Sequence, residues 1–370
     1  MGDFSQQLKG FLAGQESAST LADCWLGQLD AARQPLSVDV TREDDRWWPL
    51  DCDRATSNLD SSGLREQVAA RLQFLQRIDD DFQAFSHALD FPEDLLRPLW
   101  QVWIPLAQQI DQWRRQQSQP LIVGFLGGQG TGKTTLTQIL TLLLKHLGQI
   151  AIGFSLDDLY LTYAERQALQ RRDPRLDRRG PPGTHDVELG LAVLEKLRSQ
   201  QFPVALPRFD KSAFQGVGDR TQPEQIAAVD IVLFEGWFVG CRPVAPFMFD
   251  GTFNPTPEPI ATEADRQFAR DMNLNLYAYQ PLWELLDRLI ILQVPDYRLS
   301  IQWRCEAEHR MIAQGKPGMS DAEITDFVNY FWKALHPELF IQPLLEEPQW
   351  VDRVIEIQPN HLPKRMYRPR

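Results

Sequence analysis

Leu121-Ile-Val-Gly-Phe-Leu126 runs directly into Gly127-Gly-Gln-Gly-Thr-Gly-Lys-Thr134. The first six residues read as a buried strand. Thr135 to Leu147 reads as a helix with Leu136, Ile139, Leu140 and Leu143 along one side. A G-x-x-x-x-G-K-[ST] loop between strand and helix is a phosphate cradle: its glycines let backbone N–H groups turn toward phosphate oxygens, and the helix N-terminus adds its positive dipole end. Gly127, Gly128, Gln129, Gly130, Thr131, Gly132, Lys133, Thr134 and Thr135 are the expected nucleotide site. Lys133 is expected to bridge the β- and γ-phosphates and to act in transfer, and the Thr134 hydroxyl to hold Mg2+. ATP and Mg2+ are the implied cofactors.

Outward from this loop, short apolar runs at Ile150 to Phe154, Ile231 to Phe234 and Leu289 to Val294 alternate with helical stretches. That alternation predicts an α/β, P-loop NTPase fold with a central parallel sheet. Residues 1–116 read instead as an α-helical N-terminal domain, followed by a P-loop kinase domain at 117–370. The stripe Leu64, Val68, Leu72, Leu75, Ile78, Phe82, Phe85, Leu89 advances in steps of three and four, which predicts an amphipathic helix. Pro92, Pro98 and Pro105 then break or kink the chain, Trp100, Trp103 and Trp113 supply packing bulk, and Arg114 to Gln119 resembles a linker. The proline-rich stretch 242–259 predicts an irregular insertion.

A nucleotide site leaves several activities open. No Asn-Lys-x-Asp guanine-reading motif and no Leu-Ser-Gly-Gly-Gln signature is present, so a small-molecule kinase comes to the front. After the second strand comes Ser155-Leu-Asp-Asp-Leu-Tyr160. A kinase acting on a hydroxyl needs a carboxylate there to take the proton, and Asp157 is the expected base, with Asp158 as the substitute. Asp230-Ile-Val-Leu-Phe-Glu235 has the form of a Walker B strand, so Glu235 joins Thr134 and Asp157 as a metal-ligand candidate. Two polar loops, Arg179 to Asp186 and Leu206 to Arg220, gather His185, Asp186, Arg208, Asp210, Lys211 and Arg220. With Asp158 and Tyr160 they form the expected acceptor pocket. Tyr297 to Gln314 carries Arg298, Arg304 and Arg310 and reads as a cationic lid, with Arg304 expected to act on the phosphates. An Arg304–Glu308 surface pair is an equal alternative.

The 38 Lys and Arg against 50 Asp and Glu give a net charge of −12, which excludes a protein whose whole surface grips nucleic acid. The basic tail Lys364, Arg365, Arg368, Arg370 reads as a solvated end. Cys24, Cys52, Cys241 and Cys305 stand far apart, without metal or disulfide spacing. Neither a leader peptide nor a membrane-length apolar run is read, so a cytoplasmic protein with a small-molecule partner is expected, and no nucleic-acid or membrane partner. The residues give no oligomeric state.

The motifs GGQGTGKTT, SLDDLYLT, RGPPGTHD, PRFDKS and VLFEGWFVG, followed by NLNLYAY-x-x-LW and WR-x-EAEHRM, resemble the plant and cyanobacterial type of D-glycerate 3-kinase across about residues 118–370. More widely the sequence is similar to the P-loop kinases that include uridine kinase, phosphoribulokinase and pantothenate kinase. The resemblance implies transfer of the ATP γ-phosphoryl group to the 3-hydroxyl of D-glycerate, giving 3-phosphoglycerate in photorespiratory carbon recovery. In the wider family the first acid of an Asp-x-Phe-Tyr motif is the base. Asp157-Asp158-Leu159-Tyr160 matches with Leu for Phe, which favours Asp157. Another small hydroxylated acceptor, such as uridine or a pantothenate-like compound, stays open, as does a non-catalytic nucleotide-dependent partner-binding role.

Overall fold

The structure is a computed structural model that describes residues 4–24, 61–89, 94–250, 255–315 and 318–369. Its centre is a six-stranded sheet of β1 (Leu121–Gly127), β2 (Ala151–Ser155), β5 (Ile231–Gly236), β6 (Arg288–Gln293), β7 (Arg353–Ile357) and β8 (Pro363–Tyr367), in the order β2-β5-β1-β6-β7-β8. All neighbours are parallel except the β7–β8 edge pair. All seven residues of β1 are buried, as expected of a strand covered on both faces. The chain leaves β1 to build β2 and β5 on one side and returns to place β6 on the other. The topological switch point therefore falls at the carboxyl end of β1, where open α/β sheets bind ligands.

Alternate residues of each strand serve two separate cores. Val123, Phe125, Ile231, Leu233, Ile290 and Leu292 face Leu136, Leu140 and Leu143 of the helix Lys133–His146. Ile122, Leu126, Val232, Phe234, Leu289 and Ile291 face the other way, toward Leu194 and Leu197 of the helix Val187–Arg198 and Leu282 and Trp283 of a later turn.

The N-terminal helices belong to the first of these cores. In the helix Ser61–Ala88, Val68, Leu72, Leu75, Ile78 and Phe82 are buried, whereas Phe85 is only partly buried and Leu89 beyond the helix is exposed. The side chain of Leu64, and Pro92, lie outside the described residues. Pro98 precedes one wide π-helical turn, Leu99–Trp103, and Pro105 opens the helix Ile104–Arg115. Pro105 has no N–H to donate, and directly before it Ile104 N–H donates back five residues to Leu99 O. Trp100, Trp103 and Trp113 are buried in the same cluster as Phe125 and Ile355, so one continuous core crosses the expected boundary at 116/117. The expected linker is anchored by Arg114, which pairs with Asp230 at 3.3 Å.

The second of the expected polar loops, Leu206 to Arg220, lies in a hairpin, β3 (Val204–Asp210) with β4 (Asp219–Ile226), outside the main sheet. β4 is mostly exposed and contains Pro223, so it lacks the apolar alternation that reveals a strand. Within 242–259, the short turn Pro246–Phe249 is the one helical piece among the described residues. Among the described residues Cys24, Cys241 and Cys305 form no disulfide, and Cys52 lies outside the described residues. Among the described residues no helix is long and apolar enough to cross a membrane.

Candidate active site

The carboxyl ends of β1, β2 and β5 open into a cavity of about 1620 Å³. Gln129 to Thr135 form its floor, while Gly128 and Gln129 also border a second cavity of about 410 Å³. Gly130 and Gly132 adopt φ of +79° and +83°, the left-handed turn that L side chains rarely take. A Cβ at Gly130 would also sit 3.1 Å from the Trp303 ring. Thr131 Oγ1 donates to Gly128 O at 2.9 Å and fixes the curl of the loop.

Lys133 Nζ donates to Gly127 O at 2.8 Å and to Gly128 O at 2.9 Å. Burial lowers its ammonium below the ordinary lysine value, and the Glu235 and Asp157 carboxylates act against that shift. An anion reaching this loop would give the ammonium a charged partner in place of two carbonyls. Thr134 Oγ1 donates to Glu235 Oε1 at 2.8 Å. Among the described residues no group of three His, Cys, Asp or Glu side chains could by itself hold a metal ion. The Thr134–Glu235 pair instead offers two hard oxygens beside the phosphate cradle, which fits Mg2+ that shares its shell with phosphates and water.

Asp157 and Asp158 separate sharply. Asp157 lines the cavity, where its Oδ1 accepts from Tyr160 Oη at 2.8 Å and its Oδ2 from Lys211 Nζ at 2.6 Å. Burial alone would raise this carboxyl, but the Lys211 ammonium and the Tyr160 hydroxyl hold it below the usual value. Asp158 turns the other way and completes a capping box. It accepts from Ser155 N at 3.1 Å, Arg208 Nη1 at 3.0 Å and Phe209 N at 3.2 Å. Burial raises its pKa in spite of those bonds.

Several expected acceptor residues do not line the cavity. Asp158, Asp186, Arg208, Asp210 and Arg220 are bonded within the scaffold, whereas His185 is bonded through Nδ1 and its buried Nε2 has no hydrogen-bond partner among the described residues. His185 is buried, its Nδ1 is 2.8 Å from Tyr279 Oη, and its ring stacks on Tyr160 at 4.6 Å. Burial lowers its pKa to about 3, so the ring is neutral at physiological pH. Asp186 caps the helix Val187–Arg198 through Leu189 N and accepts from Arg220 Nη2 at 2.9 Å. Arg220 also donates to Tyr160 O, Arg208 is held by Glu224 and Asp158, and Asp210 accepts from Ser212 in a turn. Asp157, expected as a metal ligand as well as the base, does line the cavity and has one hydrogen bond on each oxygen, from Tyr160 and Lys211. Of the expected acceptor set, Tyr160 and Lys211 line the cavity.

The expected lid is the helix Leu299–Ala313. Arg304 and Arg310 line the cavity, while Arg298 is exposed and pairs with Asp296. Arg304 also makes the alternative contact, 3.0 Å to Glu308, and its guanidinium lies over Phe327 at 5.1 Å. Sequence reasoning passed over Arg166, Arg178, Arg179, Trp237 and His361, all of which line the same cavity. His361 Nδ1 is 3.0 Å from Gly130 O, a contact between residues 231 positions apart that no local pattern announces.

No family model matches the chain. Over 253 residues the chain is 35% identical to the chloroplastic D-glycerate 3-kinase of Arabidopsis thaliana. That alignment takes in 64% of this chain and 52% of the plant protein, so the chain spans about half the length of this relative. It is 33% identical to a probable ATP-dependent kinase of Saccharomyces cerevisiae, across 61% of this chain and 80% of the yeast protein. Among solved structures, the D-glycerate 3-kinase from Cryptococcus neoformans var. grubii matches with a TM-score of 0.62 and 28% identity, covering 71% of this chain and 99% of that one.

Proposed function

The chain belongs to the P-loop kinase family that holds these D-glycerate 3-kinases, and from that premise we propose that it transfers the γ-phosphoryl group of ATP to the 3-hydroxyl of D-glycerate. The observation that carries the reading is the Asp157 carboxylate, kept ionised by Lys211 and Tyr160 and sharing one cavity with the phosphate loop. Phosphoryl transfer asks little covalent work of a protein and depends on positioning and electrostatics. The backbone N–H groups of the loop and the Lys133 ammonium bind the phosphates. Thr134 and Glu235 are the residues to hold Mg2+, which when bound neutralises charge on the phosphate oxygens. Asp157 accepts the proton of the acceptor hydroxyl as that oxygen bonds to the γ-phosphorus. The bond to the bridging oxygen then breaks, and ADP leaves. Arg304 and Arg310 from the lid helix add positive charge to the same cavity.

A small anionic acceptor suits a cavity lined by Arg166, Arg178, Arg179, Lys211, Arg304 and Arg310. The similarity to the plant D-glycerate 3-kinase supports glycerate within that class. On this reading the reaction is the closing step of photorespiratory carbon recovery and is placed in the cytoplasm, which fractionation of the source cells checks.

The deciding experiment offers ATP with D-glycerate, uridine, pantothenate or ribulose 5-phosphate to the full chain. The product is identified by 31P NMR and ADP release is followed in parallel. D-Glycerate is expected to be the preferred acceptor, with 3-phosphoglycerate as the product. A higher kcat/KM for any other acceptor refutes the glycerate reading, and absence of transfer to all four refutes the kinase assignment.

A further inference from the structure

The cations around the acceptor side fall into two groups. Lys211, Arg208, Arg220 and Arg304 each have a carboxylate partner, in Asp157, Asp158 with Glu224, Asp186 and Glu308 respectively. Arg166 and Arg179 are bound instead by backbone carbonyls. Buried Arg166 donates to the carbonyls of Leu161, Val217 and Gly218, and Arg179 donates through Nη1 to those of Gly216 and Val217, both at 2.8 Å. Among the described residues no carboxylate lies within ion-pair distance of either. Asp219, the acid nearest to Arg166 in effect, accepts from Tyr163 N and Arg220 N through its Oδ1. Two guanidiniums that share the Val217 carbonyl, with no anion between them, therefore face a cavity that also holds Asp157.

Arg179 anchors itself through Nη1 alone, and its Nε and Nη2 donors have no partner among the described residues. That Nε–Nη2 edge is one that takes a carboxylate with two parallel hydrogen bonds. Its guanidinium carbon lies 6.0 Å from the Tyr160 ring centre, and the Tyr160 hydroxyl is 2.8 Å from Asp157 Oδ1. Adding the half-length of the ring places the guanidinium within about 12 Å of the Asp157 carboxylate, a span that two hydrogen bonds and the body of a three-carbon acid fill.

We infer that Arg179 binds the carboxylate of the acceptor, with Arg166 fixed behind it as a positioning residue, so that the pair selects hydroxy acids over uncharged polyols. This rests on the kinase reading above and assigns its specificity to residues other than the expected acceptor cations Arg208, Lys211 and Arg220. Burial, with repulsion from Arg179, lowers the Arg166 pKa, and a bound carboxylate relieves that repulsion. The arrangement also explains the shape of the hairpin tip: the carbonyls of residues 216–218 are turned inward to hold the two arginines, through glycines at φ +91° and +79°.

The test compares wild type, Arg179→Gln and Arg179→Lys as full chains, with D-glycerate and glycerol as acceptors. D-Lactate, which keeps the carboxylate and lacks the 3-hydroxyl, serves as the dead-end inhibitor. Arg179→Gln is expected to raise the KM for D-glycerate and the inhibition constant of D-lactate together by about 10–100-fold, in keeping with loss of charged hydrogen bonds. The glycerate-to-glycerol ratio of kcat/KM falls by a similar factor, the KM for ATP moves by less than about twofold, and Arg179→Lys recovers part of the loss. If Arg179 only anchors the hairpin, both acceptors weaken in parallel and the ratio is unchanged, which overturns the inference; unchanged D-lactate inhibition does the same. A wild-type protein that phosphorylates no hydroxy acid removes the glycerate reading as well, and is told apart because it fails before any variant is compared.

Discussion

Exchanging the two neighbouring acids for amides separates chemistry from scaffold. In Asp157→Asn, the Tyr160 hydroxyl keeps an acceptor, while Lys211, whose side chain is 62% exposed, returns to water. Little stability is lost and the proton acceptor disappears. The expected result is an unchanged melting temperature and a kcat lowered about 10²–10⁴-fold, a barrier increase of roughly 3–5 kcal/mol. Asp158→Asn does the reverse. The carboxylate receives three hydrogen bonds, two of them on Oδ2 from Ser155 N and Arg208 and one on Oδ1 from Phe209 N. An amide cannot accept on both sides, so at least one donor faces an NH2 group and one buried bond is lost, at a cost of about 1–3 kcal/mol. The expected result is a melting temperature lower by roughly 2–6 °C and a kcat within about tenfold of wild type. Thermal melts followed by fluorescence, together with an ADP-release assay at saturating ATP, read both quantities. If Asp158→Asn abolishes turnover at an unchanged melting temperature while Asp157→Asn still turns over, the assignment within the pair is refuted.

Two further expectations follow from the same geometry. Because Lys211 holds the Asp157 carboxyl below its usual value, the base stays ionised at neutral pH, and the associated stability is present above the unfolded carboxyl pKa of about 3.9 and lost as pH falls through the lower folded value. Lys211→Met leaves burial as the dominant influence, so the acidic limb of the kcat–pH profile is expected to move to higher pH, and a profile that coincides with wild type contradicts the pairing. A chain beginning at Gln117 loses Val68, Leu72, Phe82, Trp100 and Ile110 from the cover of Phe125, Leu140 and Ile355. At about 1.5–3 kcal/mol for each buried side chain, that loss rivals the whole stability of a domain, so the shortened chain is expected to give no cooperative melt. A sharp native-like transition would establish an independent kinase domain.

How much could be read from sequence depends on how local the physics is. The phosphate loop was legible because strand, glycines, lysine and helix stand within a few residues of one another and their spacing is set by the phosphate group they enclose. β1, β5 and β6 were legible because strands covered on both faces need unbroken apolar runs, and the edge strand β2, though only partly buried, carries a similar run. The hairpin at residues 204–226 was not, because a polar pair outside the main sheet needs no such run.

Four of the six strands of the sheet, the nucleotide loop and the acid pair after β2 were thus readable from sequence alone, whereas β7 and β8, the latter in the tail expected to be a solvated end, were not. Tertiary structure decided which acid faces the cavity, since Arg208 and Phe209, some fifty residues onward, take Asp158 and leave Asp157 to Lys211. It also decided which cations are available. Arg208 and Arg220 sit in the motif-bearing hairpin but are neutralised by carboxylates, while Arg166 and Arg179 reach the cavity on carbonyl anchors. The charge of a residue is written in the sequence, but its partner is set by chain segments that meet only on folding, and the partner determines whether that charge is left to meet a ligand.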